Sequence, residues 1–300
     1  MEVTTRTVHG RFLLRPSRDL NDQIVGILAR ASKRYDVGIV DFGAMSNHMH
    51  LLLVVESARC LASFMSYVNG NIAKEAGRLH GWREKFWGRR YRAVVVSEEP
   101  EAQIGRLRYL LAQGCKEGLV RKPTEWPGAN GTEALMKGSR LQGWWFDRAL
   151  AYEARRRGER PGKYEFANRE VLTLVPLPCW ADLSLEERQR RARELVREIE
   201  RETRDRLAEQ ELSPLGVRRI LRQNPHDAPS RPSRSPAPRF HAATWGARKA
   251  LELAFLEFRL WYEEASAALR AGARNVAFPP GSFPPRLPFC PRRDPPLLRA

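Results

Sequence analysis

The chain reads as an α+β protein: a ferredoxin-like, split β-α-β antiparallel sheet followed by a mainly helical extension. Strand-like and helix-like periodicities alternate in the order β-α-β-β-α-β up to about residue 115, and beyond Trp126-Pro127-Gly128 the pattern turns almost wholly helical. Residues 5–14 are strand-like, 19–35 carry helical spacing, and 37–42 and 48–55 are strands. Residues 61–79 form an amphipathic helix and 91–96 a fourth strand. Residues 100–115 form one continuous helix opened by Pro100-Glu101, since proline and an acid both suit a first turn. The expected arrangement places the helices on one face of the sheet.

The first domain is predicted over residues 1–130, a basic and mainly helical extension over 131–223, a Pro/Ser/Arg linker over 224–240, and a helix with a Pro-rich tail over 241–300. In the extension, Trp144-Trp145-Phe146 followed by Arg155-Arg156-Arg157 suggests an aromatic anchor and a basic helix. Residues 183–212 form a highly charged helix with a thin apolar stripe of Leu185, Val196, Ile199 and Leu207. The prolines at 225, 229, 232, 236 and 238 predict an extended linker, and residues 242–269 return to helical spacing with Trp245, Leu251, Phe255, Phe258 and Trp261 as the apolar set.

With 52 Lys and Arg against 35 Asp and Glu, the 300-residue chain carries a net charge of +17, which favours a polyanionic partner, nucleic acid first. No apolar run reaches membrane-spanning length and the first residues lack a signal-peptide pattern, so the chain reads as cytoplasmic with no membrane partner. Cys60, Cys115, Cys179 and Cys290 are scattered, which indicates reduced thiols rather than a zinc knuckle or disulfide framework.

The chemistry centres on His48-Met49-His50, within a run that otherwise reads as a buried strand. Side chains in a strand alternate, so both imidazoles project from one face while Met49, Leu51 and Leu53 point into packing. Alone, such a pair is more often a set of strand-edge histidines satisfied by water or backbone. Tyr109 and Gln113 lie four apart on the last predicted helix and therefore share a face. If that helix packs beside the histidine strand, the Gln113 amide oxygen completes a three-ligand site for Mg²⁺ or Mn²⁺, and the Tyr109 hydroxyl faces what the metal holds. A cation on a phosphodiester offsets the charge built up during attack, and a tyrosyl ester keeps the bond energy for rejoining.

Taken together, these motifs resemble the single-tyrosine HUH transposases of the insertion-sequence type, most closely the REP-associated tyrosine transposases. The resemblance rests on Met45-Ser46-Asn47-His48-Met49-His50-Leu51-Leu52, Trp87-Gly88-Arg89-Arg90-Tyr91, Tyr109 with Gln113, Gly118-Leu119-Val120 and Trp126-Pro127, roughly the first half of the chain. It implies an HUH endonuclease domain in which Tyr109 forms a 5′-phosphotyrosine link to single-stranded, hairpin-bearing DNA, with His48, His50 and Gln113 as metal ligands. REP-associated relatives usually carry Asn-Pro one turn after the tyrosine. This chain has Gln113-Gly114, and glutamine is the insertion-sequence form. The second half, with Asn224-Pro225-His226-Asp227 and Phe283-Pro284-Pro285, resembles an extension of some bacterial transposase-like proteins. A bacterial, nucleoid-associated setting follows from the same resemblance.

Trp87, Arg89, Arg90, Tyr91 and Arg92 mix cations with aromatic faces and suit a single strand held by phosphate contacts and stacking. His80, His226 and His241 lack partners at useful spacing and read as surface or structural residues. Two other readings stay open: a domesticated hairpin-DNA binding protein without turnover, and an RNA-binding protein on the same sheet. Homodimerisation is also left open.

Overall fold

Short strands whose odd and even positions both carry apolar residues need cover on both faces, and the fold supplies it. The computed structural model describes residues 1–230 and 238–284. In chain order its elements are β1 (Glu2–Arg6), α1 (Arg18–Tyr35), β2 (Gly38–Ala44), β3 (His48–Val54), α2 (Ala58–His80), β4 (Arg92–Val96), α3 (Pro100–Leu111), α4 (Gln113–Lys116), α5 (Thr132–Lys137), β5 (Leu141–Phe146), α6 (Arg148–Arg156), β6 (Ala167–Leu172), α7 (Leu185–Glu209), α8 (Val217–Leu221), β7 (Phe240–His241) and α9 (Trp245–Arg270). Several helix starts are written in the sequence: Ser17 and Ser57 cap α1 and α2 by accepting from Leu20 and Cys60 N–H, and Pro100 opens α3. Gly81 ends α2 in the left-handed region at φ +66°.

The main sheet runs β2-β3-β1-β4-β7, antiparallel except for the final parallel pair. Its first four strands have the split β-α-β order. One face buries Val3, Ile39, Phe42, Met49, Leu51 and Leu53 against Leu20, Ile24 and Leu28 of α1 and Phe64, Met65 and Val68 of α2. Full burial of one such side chain contributes roughly 1.5–3 kcal/mol. The other face packs Val40 and Leu52 on Leu107 and Leu110 of α3, backed by Leu195, Val196 and Ile199 of α7 and Ile220 of α8. Helices therefore cover both faces, correcting the expectation of one. The extension also completes the second core.

The free edge of β2 is covered as well. The Trp126 indole donates to Ala44 O at 2.9 Å, and the Ala44, Gly131 and Val175 N–H groups bond to Ala129, Phe42 and Ile39 carbonyls.

Local chemistry shifts several boundaries. The first strand stops at Arg6 rather than continuing to residue 14, because the Thr7 hydroxyl bonds the Arg11 and Asn47 carbonyls and His9 and Gly10 turn the chain at φ +51° and +69°. The helix expected over 100–115 breaks at Ala112. Trp144-Trp145-Phe146 lies in a strand: β5 and β6 form an antiparallel ribbon over α1, which helical spacing did not foretell. Of the stripe expected on the charged helix, Leu185 is exposed, and the buried set is Ala192, Leu195, Val196 and Ile199. On α9, Trp245, Phe255 and Trp261 are exposed rather than core. Pro232 and Pro236 of the expected linker, Cys290, and the tail from residue 285 lie outside the described residues.

Asp41 is fully buried against Gly131, whose N–H, with that of Phe42, faces the carboxylate without closing a well-formed hydrogen bond. Burial pushes its pKa up to about 8. The folded state therefore holds a proton that the unfolded chain has released above about pH 4, so stability is greatest below that point and declines as pH rises to about 8. Thermal melts at pH 5, 6.5 and 8 are expected to fall more steeply for the native chain than for Asp41→Asn. Parallel slopes refute this assignment.

Candidate active site

The β1–β3 register sets Arg6 opposite His48, Thr4 opposite His50 and Glu2 opposite Leu52, and Thr4 also faces Arg92 on β4. Cross-strand partners share a face, so these polar residues gather on the side that α3 covers. Met49, Leu51 and Leu53 lie on the other side, buried in the first core.

The histidine rings sit edge to face at 4.9 Å between centroids, and the His50 and Tyr109 rings at 5.9 Å. Each imidazole has its Nδ1 engaged. For His48 the partner is Asn47 Oδ1 at 2.7 Å, and the amide orientation is set because Asn47 Nδ2 donates to Gly10 O at 3.1 Å. For His50 the partners are Glu2 Oε1 at 3.3 Å and Thr4 Oγ1 at 3.2 Å. A carbonyl or carboxylate oxygen only accepts, so Nδ1 of each ring bears a proton and Nε2 is the nitrogen left to face a cation. Burial, then the charges of His50 and Arg6, hold the His48 pKa well below its ordinary value despite a hydrogen bond with Gln113. It is the neutral, ligating form at physiological pH.

The break at Ala112 aims Gln113 inward. Its Nε2 donates to the Tyr109 carbonyl at 3.0 Å, and the side chain also hydrogen-bonds His48, which leaves the amide oxygen on the histidine side of the site. Gly114 allows this bend: a Cβ there would stand 2.9 Å from Val120 Cγ2 and 3.4 Å from the Trp126 ring. No three His, Cys, Asp or Glu among the described residues cluster as metal ligands. Two Nε2 lone pairs and the Gln113 oxygen fit a divalent cation.

Sequence reading missed the support beneath these residues. Glu2 is buried and meets His50, Arg106 Nε at 3.0 Å and His241 Nε2 at 2.8 Å. Burial alone would raise its pKa, but the hydrogen bonds from His241 and His50 and the Arg106 charge outweigh it and hold the carboxyl well below the usual range. Arg106 and Lys116 lie over the Tyr109 ring at 3.9 and 4.7 Å. The polar alternation Glu2, Thr4, Arg6 was a usable signal for β1. Nothing local marked His241, which only the pairing of β7 on β4 delivers.

The strand-entry cluster is divided in its placement. Arg89, Arg90 and Arg92 are exposed, with Arg90 over the Tyr91 ring at 5.4 Å and Arg92 in reach of Pro238 O. Trp87 is half-buried and donates its indole N–H to Asn69 O at 2.8 Å, while Tyr91 packs against the first core.

Residues 13–110 match the family model described as Transposase IS200 like. Over those residues the chain is similar to IS200-like transposases. The match takes in His48, His50 and Tyr109 and stops short of Gln113, so the third candidate ligand and the whole extension lie beyond it. Among solved structures, a candidate transposase from Deinococcus radiodurans R1 is 19% identical over 35% of this chain and 85% of that chain, with a TM-score of 0.27, too low to add to the family match. A comparison with curated proteins found no match. No helix among the described residues is long and apolar enough to cross a membrane.

Proposed function

We propose that the IS200-like domain cleaves and rejoins single-stranded, hairpin-bearing DNA through a 5′-phosphotyrosine ester on Tyr109. The observation that supports it most is the meeting of Tyr109 with two tautomer-fixed imidazoles and the Gln113 oxygen beneath one helix. His48 and His50 through Nε2, and Gln113 through its amide oxygen, would hold Mn²⁺ or Mg²⁺, which when bound withdraws charge from a non-bridging phosphate oxygen. Tyr109 Oη attacks phosphorus, the bond to the 3′ oxygen breaks, and the 3′ hydroxyl leaves having gained the proton that the phenol gave up. Attack by a 3′ hydroxyl on the ester reverses the step and needs no ATP. Arg106 and Lys116 place positive charge beside the ring, where the phosphate must sit. Arg89, Arg90 and Arg92, with Tyr91 beside them, supply phosphate contacts along the strand.

The test is incubation of the full chain with labelled hairpin-bearing single strands and Mn²⁺ or Mg²⁺, then denaturing electrophoresis. A metal-dependent protein–DNA adduct is expected. Binding without any adduct across varied hairpins would leave a hairpin-binding protein instead. Within this reading Glu2 acts by orienting His50. Glu2→Ala is expected to raise the Mn²⁺ concentration for half-maximal adduct roughly 10- to 100-fold, and an unshifted metal requirement would remove Glu2 from the site's support.

A further inference from the structure

The extension reaches back to the main sheet through the turn Asn224-Pro225-His226-Asp227. Asp227 N–H bonds back to Asn224 O at 3.1 Å, and the Asn224 side chain locks the turn by accepting from His226 N–H at 3.1 Å. The loop between β1 and α1 takes up the carbonyls that the turn presents. The Arg11 guanidinium donates to His226 O, and Phe12 N–H donates to Asp227 O at 2.8 Å. The His226 ring donates through Nε2 to His80 O at 2.8 Å and meets Trp82 edge on. Pro229 and Asn47 flank Gly10, at 3.9 and 3.8 Å from where its Cβ would stand.

Gln223, one residue before the turn, reaches the corner that leads into the histidine strand. Ser46 Oγ donates to Gln223 Oε1 at 2.7 Å, and Ser46 O accepts from Leu14 N–H at 2.9 Å. Ser46 is buried and precedes Asn47, whose Oδ1 holds His48 Nδ1. The Asn47 amide is itself anchored to Gly10 O, beside Pro229. A path therefore runs from Gln223 through Ser46 and Asn47 to His48. His241 supports His50 in the same way, through Glu2. Each histidine is steadied by its own stretch of the extension.

We propose that Gln223 and the turn behind it position His48, holding the Ser46-Asn47 corner so that Asn47 keeps the ring proton on Nδ1 and Nε2 faces the site. The proposal rests on the reading of His48 as a metal ligand. Gln223 touches neither substrate nor metal, so it is a positioning residue. Without it the Ser46 hydroxyl turns to water, the corner loosens, and both neutral imidazole tautomers become populated.

The test uses the full chain and two readouts. Long-range proton–nitrogen NMR spectra of the metal-free protein report the His48 tautomer, and the paramagnetic resonance of free Mn²⁺ reports the binding constant. Gln223→Ala is expected to populate the Nε2–H form and to weaken Mn²⁺ binding roughly tenfold, with adduct formation recovering at saturating Mn²⁺. Gln223→Glu, whose carboxylate still accepts from Ser46, is expected to restore the tautomer and bring the metal constant to within about threefold of native. Adding Ser46→Ala to Gln223→Ala is expected to weaken binding no further than either change alone, since both act through one hydrogen bond. A merely structural contact would lower the melting temperature and leave tautomer and metal constant unchanged, and that result would overturn the proposal. A tautomer shift in a chain whose native form binds no Mn²⁺ would uphold the clamp and refute the metal reading instead.

Discussion

Tyr109→Phe leaves no covalent DNA adduct while metal binding and thermal stability stay close to those of the native chain. The substitution removes one oxygen from a half-buried ring that Arg106 and Lys116 still cover and His50 still meets edge on. With the nucleophile gone the loss is complete rather than graded. His48→Ala tests the other half of the site. It removes one of the proposed metal donors and leaves Asn47 Oδ1 and the Gln113 side chain without their shared partner. Adduct formation is expected to fall at least a hundredfold, about 2.7 kcal/mol, at fixed Mn²⁺. Because Asn47 and Gln113 then regain water, stability changes little. The combination separates chemistry from folding: residual adduct in Tyr109→Phe would name another nucleophile, and full activity in His48→Ala would remove the histidine pair from the reaction.

The largest expected effect on stability lies on the opposite side of the sheet, at Gly26 in α1. Helix propensity alone favours Gly26→Ala by about 1 kcal/mol. Packing points the other way, because a Cβ at position 26 would stand 2.4 Å from the carbonyl carbon and oxygen of Trp144 in β5. Gly143 faces it across the same contact, with Asp22 O at 2.2 Å and Gly26 N at 2.4 Å from its own added Cβ. Helix and ribbon meet backbone to backbone there, so neither side can yield by turning a rotamer. Separating them costs roughly 3 kcal/mol or more, and the clash wins. Gly26→Ala and Gly143→Ala are each expected to lower the melting temperature by roughly 5 °C or more. Below melting, adduct formation should persist, since the ribbon sits across the sheet from Tyr109. A stabilised Gly26→Ala would show that the ribbon is not held this closely.

Period was enough to place β2, β3, α1, α2 and the start of α3, because each carries its own spacing and its own cap or turn signal. It was also enough to put His48 and His50 on one face, since that relation is fixed by the geometry of a strand, whereas the place of Gln113 beside Tyr109 depended on the break at Ala112. What lay beyond it depended on residues far apart in the chain. The break at Ala112 follows from Gly114 fitting beneath Val120 and Trp126, and the β5 strand from its close fit on α1. His241 reaches Glu2 only because β7 pairs with β4, closing the sheet edge beside the site. A lone histidine after a proline-rich stretch has no local signature of that role. Sequence by itself determined which faces are apolar and which side chains could do chemistry. Tertiary structure decided which buried carboxylate, amide and distant histidine fix those side chains in place, because a buried polar group takes its partner from whatever chain segment packing brings within hydrogen-bond distance.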